Sequence, residues 1–225
     1  MIYAVTNEAS LTEMLHTLDQ MKSETVRDGL YEVFFTDFLP TRQIIFPCTP
    51  KPQIELVVAL EMAMQSIQDS GCYLDVLGLW QYTNREGQVE TTSTQYCYVS
   101  LDQFIDAIDK NGAAKALKNQ DEPLSFFIDH WAMYSIKKQW GIHINGYAEY
   151  ALLGGTKTFM NAFDRNRPST LRSIEEFLSY WKKMRHQCEK DNLEAPWNWL
   201  TRLMIHVYGK EQAFELMDEA RMFDN

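Results

Sequence analysis

What this chain lacks is a chemical signature. Its four cysteines, Cys48, Cys72, Cys97 and Cys188, are scattered with no Cys-x-x-Cys among them, which removes the common zinc and redox spacings. No run of apolar residues is long enough for a membrane span. The most apolar stretch, Ile54 to Met64, is interrupted by Glu55 and Glu61, and a span takes roughly 20 such residues. The first residues, Met-Ile-Tyr-Ala-Val-Thr-Asn-Glu, carry neither the basic nor the apolar region of a secretory signal. Internal repeats, low-complexity tracts and Gly/Ser linkers are absent as well. The expectation is a soluble cytoplasmic protein with reduced, buried thiols rather than disulfides.

Catalytic patterns are equally scarce. There is no Gly-x-Ser-x-Gly elbow, no cysteine-centred nucleophile motif and no calcium-loop spacing of Asp/Asn with Gly and Glu. Leu153-Gly-Gly-Thr-Lys-Thr158 comes nearest to a phosphate loop, since it follows a predicted strand and opens a helix. That motif needs glycine directly before lysine and another five residues earlier. Here Thr156 separates Gly155 from Lys157 and position 150 is Tyr, so a tight strand-to-helix turn requiring glycine is the better reading. His186 and Cys188 lie two apart on a predicted helix, roughly 200° around its axis, and cannot share a metal. His130 and His143 fall in predicted strands without partners and read as structural residues. Cys48 sits between two prolines in a loop that reads as exposed, with Lys51 the nearest cation. No cofactor and no metal are expected.

A basic bias is missing too, which excludes the usual electrostatic footprint of nucleic-acid modules. The chain carries a net charge of −10. Residues 1–130 hold 19 acidic against 8 basic side chains, a net of −11, whereas residues 131–225 hold 12 against 13. A field of that sign repels nucleic acid and anionic lipid and attracts basic protein surfaces. The one cationic cluster, Lys182, Lys183, Arg185 and Lys190, reads as a helix C-terminal preference.

What is present is an ordinary globular composition, 45% hydrophobic and 23% charged, with aromatics at 13%. Ser10-Leu-Thr-Glu13 reads as a capping box opening a helix with Leu11, Met14, Leu15 and Leu18 inward. Val26, Leu30, Val33, Phe34 and Phe38 keep helical spacing and predict a second helix ending before Pro40. A short strand is expected at Arg42 to Phe46, and Gln53 to Gln68 fits helix or strand. Tyr73 to Tyr82 and Gln88 to Val99 read as a hairpin around Asn84–Gly87. Ser100 then caps a helix with Leu101, Phe104, Ile105 and Ile108 inward, ended by Asn111-Gly112.

Trp131 to Ile136, Trp140 to Ile144 and Tyr147 to Leu153 read as a three-stranded meander. Pairing Ile136 with Trp140 across the first turn sets Met133 opposite His143, with His130 on the other face. It also gives Trp131 and Trp140 opposite parity, so the aromatics of the meander split between faces as core. From Gly155 the pattern turns helical. It predicts a short helix over Thr156–Phe163, a long one opened by Ser169 or Thr170, one from Pro196 to Gly209, and a last one around Phe214 and Met217.

The fold class this implies is α+β, with an antiparallel sheet of hairpin plus meander packed by helices and a helical C-terminal third. Residues 1–225 are expected to form a single domain, and a subdomain boundary would fall near Asp121-Glu-Pro123, where composition shifts. The function expected is a non-catalytic acidic binding protein engaging a basic protein partner, such as an immunity or inhibitor protein neutralising a toxin domain. Neither nucleic acid nor membrane is expected as a partner. The partner-binding residues would be Asp102, Asp106 and Asp109 on one capped helix, with Asp121 and Glu122 following. The alternative is a small hydrolase or transferase whose site assembles from dispersed histidines and carboxylates, which a deep pocket enclosing His130 or His143 would favour.

Overall fold

In the computed structural model, residues 2–27, 30–48, 54–76, 81–83, 89–91, 95–109, 130–145, 149–191 and 198–223 are described. Their organising element is a seven-stranded, wholly antiparallel sheet in the order β1-β8-β5-β9-β10-β11-β4. These strands are β1 (Ile2–Ala4), β4 (Thr41–Ile45), β5 (Gly71–Val76), β8 (Gln95–Ser100), β9 (His130–Ser135), β10 (Trp140–Asn145) and β11 (Tyr150–Gly155). Two small ribbons accompany it: β2 (Lys22–Arg27) with β3 (Leu30–Phe35), and β6 (Gln81–Thr83) with β7 (Val89–Thr91). The helices are α1 (Glu8–Met21), α2 (Ile54–Ser66), α3 (Phe104–Asp109), α4 (Lys157–Arg165), α5 (Ile174–Lys190), α6 (Asn198–Tyr208) and α7 (Lys210–Glu219). A 3₁₀ turn, Leu101–Gln103, leads into α3. The fold is α+β, with a helical C-terminal part, as the sequence implies.

Strand alternation divides the core in two. Cys72, Leu74, Cys97, Val99, Met133, Ile142, Ile144 and Leu153 point to one face, where α2, α3 and α4 cover them. Ala132, Tyr134, Tyr150, Leu152 and Ile44 point to the other, under α1, α5, α6, α7 and Phe35 of β3. Strands β10 and β11 are therefore buried on both sides, which is why they read as near-continuous apolar runs rather than alternating ones. Trp140 anchors the first face, stacked on Phe159 at 5.3 Å and edge-on to Phe104 at 6.4 Å. The base of the expected hairpin, β5 with β8, joins the meander in one sheet through the pairing of β5 with β9, whereas β6 and β7 nearer its turn pair as a separate ribbon.

Several local expectations are corrected. Lys22–Arg27 and Leu30–Phe35 form the β2–β3 ribbon, not a second helix. Helical spacing in this segment is coincidental, because its β-branched and aromatic residues flank Asp28-Gly29, a two-residue hairpin connection in sequence. α1 begins earlier than Ser10: Asn7 is its cap, accepting from the N–H groups of Ala9 and Ser10 at 3.0 and 3.2 Å. The long helix begins at Ile174, where Ser173 and Glu176 form a reciprocal capping box, so Leu171 lies outside it. Within the stretch that fits helix or strand, Ile54–Ser66 forms helix α2. In the meander Ala132, not Met133, opposes His143. That one-residue difference gives position 130 the parity of position 143, and position 131 the parity of 140, reversing both expectations. The turns expected at Asn84–Gly87 and Asn111-Gly112 lie outside the described residues.

Candidate functional site

The predicted acidic surface begins at the 3₁₀ turn. Phe104, Ala107 and Ile108 are buried against the first face of the sheet, and the Leu101 N–H donates to the Ser70 carbonyl at 2.9 Å. With that side anchored, Asp102 and Asp106, four residues apart, are both exposed on the opposite side. Ser100 does not cap the turn with its side chain; its hydroxyl donates to the Asp102 carboxylate instead. That hydrogen bond favours the ionised form and lowers the Asp102 pKa. Asp106 lies in the first turn of α3, where a negative charge complements the helix dipole. Asp109 is the last residue of α3. Asp121 and Glu122 lie outside the described residues, so the patch they would extend is represented by Asp102 and Asp106.

The other sequence candidates resolve into packing. Gly154 and Gly155 are extended strand residues, and Thr156 caps α4 by accepting from the Phe159 N–H at 3.3 Å. Neither glycine has a positive φ. They are needed for close approach instead: a Cβ on Gly154 would stand 2.5 Å from the Phe35 ring, and one on Gly155 would stand 2.8 Å from Phe159. Cys48 is buried rather than exposed, and burial pushes its thiol up to about 12, so it is inert at neutral pH. His143 is buried beside Ala132 and Leu152. His186 is exposed, 3.7 Å from Glu189 on the same helix. Within the basic cluster, Lys182 donates to the Arg221 carbonyl at 2.8 Å and Arg185 to the Met222 carbonyl at 2.7 Å. These two cations clasp the chain just beyond α7, complementing another helix's C-terminus rather than their own. Among the described residues no three His, Cys, Asp or Glu side chains converge on a common point, and no helix is long and apolar enough to cross a membrane.

Two features escaped the sequence reading. The first is Asp69, buried just beyond α2, whose carboxylate accepts from Ser135 Oγ at 2.5 Å, Trp140 Nε1 at 3.1 Å and the Ser70 N–H at 3.0 Å. A buried carboxylate is tolerated only when its lone pairs are satisfied in this way, and the cluster ties the end of α2 to β9 and β10.

The second is a cleft of about 210 Å³ between β4, the segment before α5, and the end of α6. Its floor is apolar, with Ile44, Phe46 and Phe177, and its rim carries Gln43, Arg167, Arg172 and Tyr208. The walls are held by both local and long-range hydrogen bonds. Arg42 donates to the carbonyls of Leu39, Thr36 and His206 at 2.9, 2.9 and 3.1 Å, binding the start of β4 to α6. His206 Nε2 accepts the Phe35 N–H at 3.2 Å, and its ring lies 4.7 Å from that of Phe34. Burial, then the neighbouring Arg42 charge, lowers the His206 pKa to about 4 and keeps the imidazole a neutral acceptor. His143 is not among the residues that line this cleft, and the His130 side chain lies outside what is described. No family model, no curated protein and no solved structure matches the chain.

Proposed function

We propose that this chain is a non-catalytic binding protein whose acidic N-terminal part engages a basic protein partner, as an immunity or inhibitor protein engages a cationic toxin. The observation that carries this reading is the pair Asp102 and Asp106. Both are exposed on one short helical segment whose other side is fixed in the core, and both belong to the part of the chain with a net charge of −11. Carboxylates on a rigid support keep their geometry during encounter, so opposite fields speed capture without a conformational cost. A cytoplasmic location fits the same reading, since among the described residues none of the four cysteines forms a disulfide.

The test is a partner captured from the native cell, purified and reconstituted with the full chain. The triple variant Asp102→Lys/Asp106→Lys/Asp109→Lys should slow association by about tenfold or more and flatten its dependence on salt. Thermal melting of the variant should stay close to the parent, because the two aspartates described lie on the exposed side of their helix. A variant that binds the partner at the parental rate, with the parental salt dependence, would refute this surface.

A further inference from the structure

We propose that the cleft between β4, the segment 167–173 and α6 binds a small organic anion, a carboxylate or phosphate group carried on an apolar body. The cationic side of the argument rests on Arg167 and Arg172. Arg167 donates from Nη1 to Gln43 Oε1 at 3.1 Å and from Nη2 to the Arg172 carbonyl at 3.4 Å. Those two bonds fix the plane of a guanidinium that has five donors in all, leaving three for a ligand. The Arg172 guanidinium lies 5.8 Å from the centre of the Phe46 ring, held in place by cation–π attraction. Among the described residues neither arginine is paired with a carboxylate. Two guanidiniums on the rim of one concavity, positioned by neutral groups, form a recognition element for a planar or tetrahedral anion.

The remainder of the lining sets the ligand's character. Tyr208 stays a neutral donor at physiological pH, because burial pushes its phenol up to about 12 against the opposing Arg167 charge, with the Glu175 charge adding a smaller push upward. The helix end nearby is not the binding element, since Ser173 and Glu176 already bond each other's backbone N–H groups. Glu175 and Asp164 lie close enough to oppose a highly charged ligand; the Asp164 carboxylate takes a Gln43 amide hydrogen at 3.5 Å. The floor of Ile44 and Phe46 offers an anion's apolar body a surface that inorganic phosphate cannot use. The volume lies below the roughly 300–1,000 Å³ of pockets for drug-sized molecules, which points to a compact ligand.

The experiment is a titration of the full chain, followed by calorimetry or NMR, with phenyl phosphate, benzoate and inorganic phosphate as probes. Phenyl phosphate and benzoate should bind saturably, and phenyl phosphate should bind more tightly than inorganic phosphate. The double variant Arg167→Gln/Arg172→Gln should weaken phenyl phosphate by about tenfold or more, with an unchanged far-ultraviolet spectrum. If the double variant fails to fold, Arg172→Gln alone serves, since the Arg172 side chain makes no hydrogen bond to the described residues. The proposal is overturned if neither organic anion binds saturably, if the arginine variants bind as the parent does, or if inorganic phosphate binds as tightly as phenyl phosphate.

Discussion

Replacing Gly154 with alanine should destabilise the protein, although alanine is the better residue for most strand interiors. The φ of Gly154 is not positive, so alanine meets no backbone strain there. On conformational grounds alone it would stabilise by about 0.5–1 kcal/mol. The opposing effect is steric. Gly154 pairs with Gly141 across β10 and β11, and the buried Phe35 ring lies over both. A methyl at 154 would sit 2.5 Å from Phe35 Cδ2 and 2.8 Å from Cε2, where carbon atoms prefer about 3.5–4.0 Å. The ring cannot move aside freely. Tyr134 meets it edge-on at 6.3 Å, and its own N–H is bonded to His206. Overpacking of this kind costs about 1–3 kcal/mol, so the net loss is about 1–2 kcal/mol, a fall in Tm of roughly 2–8 °C for a chain of this size. Urea denaturation of Gly154→Ala, Phe35→Leu and the double variant decides the matter. Leucine at 35 relieves the contact, so the double variant should be more stable than the sum of the single losses, by about 1 kcal/mol. An additive cycle, or a Gly154→Ala protein as stable as the parent, would refute the reasoning.

The folded His206 pKa of about 4, against 6.5 for an ordinary histidine, makes stability depend on pH in one direction. The unfolded chain takes up a proton that the folded chain refuses, so stability is full above about 6.5 and falls as pH drops toward 4. With this side chain only half-buried, the loss should be about 1–2 kcal/mol, and His206→Gln should flatten the slope of denaturation free energy against pH across that window; an unchanged slope would contradict the assignment. Among the cysteines, burial raises the pKa of Cys48, Cys72 and Cys97, with the Asp69 charge adding to the effect at Cys72, while Cys188 is half-buried on α5. A thiol reagent at neutral pH should therefore modify Cys188 alone in the native protein and all four in denaturant, and rapid modification of Cys48 would be incompatible with its burial.

How much of the fold can be read from the sequence depends on whether a segment's neighbours are local. The meander announced itself through apolar runs and turns, and α3 through α7 through their periodicity, whereas the α2 segment fitted helix and strand alike. The segment 22–35 did not announce itself, because Val26, Leu30, Val33 and Phe34 satisfy a helical spacing as well as the strand they adopt. Only the Asp28-Gly29 dipeptide argues for a hairpin there, and helical spacing by itself takes no account of it. The register of β9 against β10 turned on one residue at the Ile136–Gln139 turn, where Lys138 adopts a left-handed φ of 58°. A non-glycine residue in that conformation leaves no clear mark in sequence, and the slip moved Trp131 and His130 to the opposite parity. Glycines 154 and 155 were visible as a pair, yet the reason for them lies in aromatic rings from β3 and α4. That cannot be seen until those elements are folded over them.

The two candidate sites differ in the same respect. Asp102 and Asp106 stand out because one helical turn relates them, and spacing alone implies a shared face. The cleft draws its arginines from the segment before α5, Gln43 and Phe46 from the region of β4, and Tyr208 from α6. No spacing rule connects these positions, and Arg167 is visible in sequence only as part of a helix-breaking loop, Asp164-Arg-Asn-Arg-Pro168. What brings them together is the seven-stranded order, which makes β4 an edge strand beside β11 and so leaves Gln43 facing the turn after α4. Arg42 completes the arrangement by holding β4 to α6 through the His206 carbonyl. The acidic surface is thus a property of one local segment, tested by changing charge there. The cleft is a property of the assembled sheet edge, so removing the Arg42 clamp should disturb it even though Arg42 is not among the residues that line it.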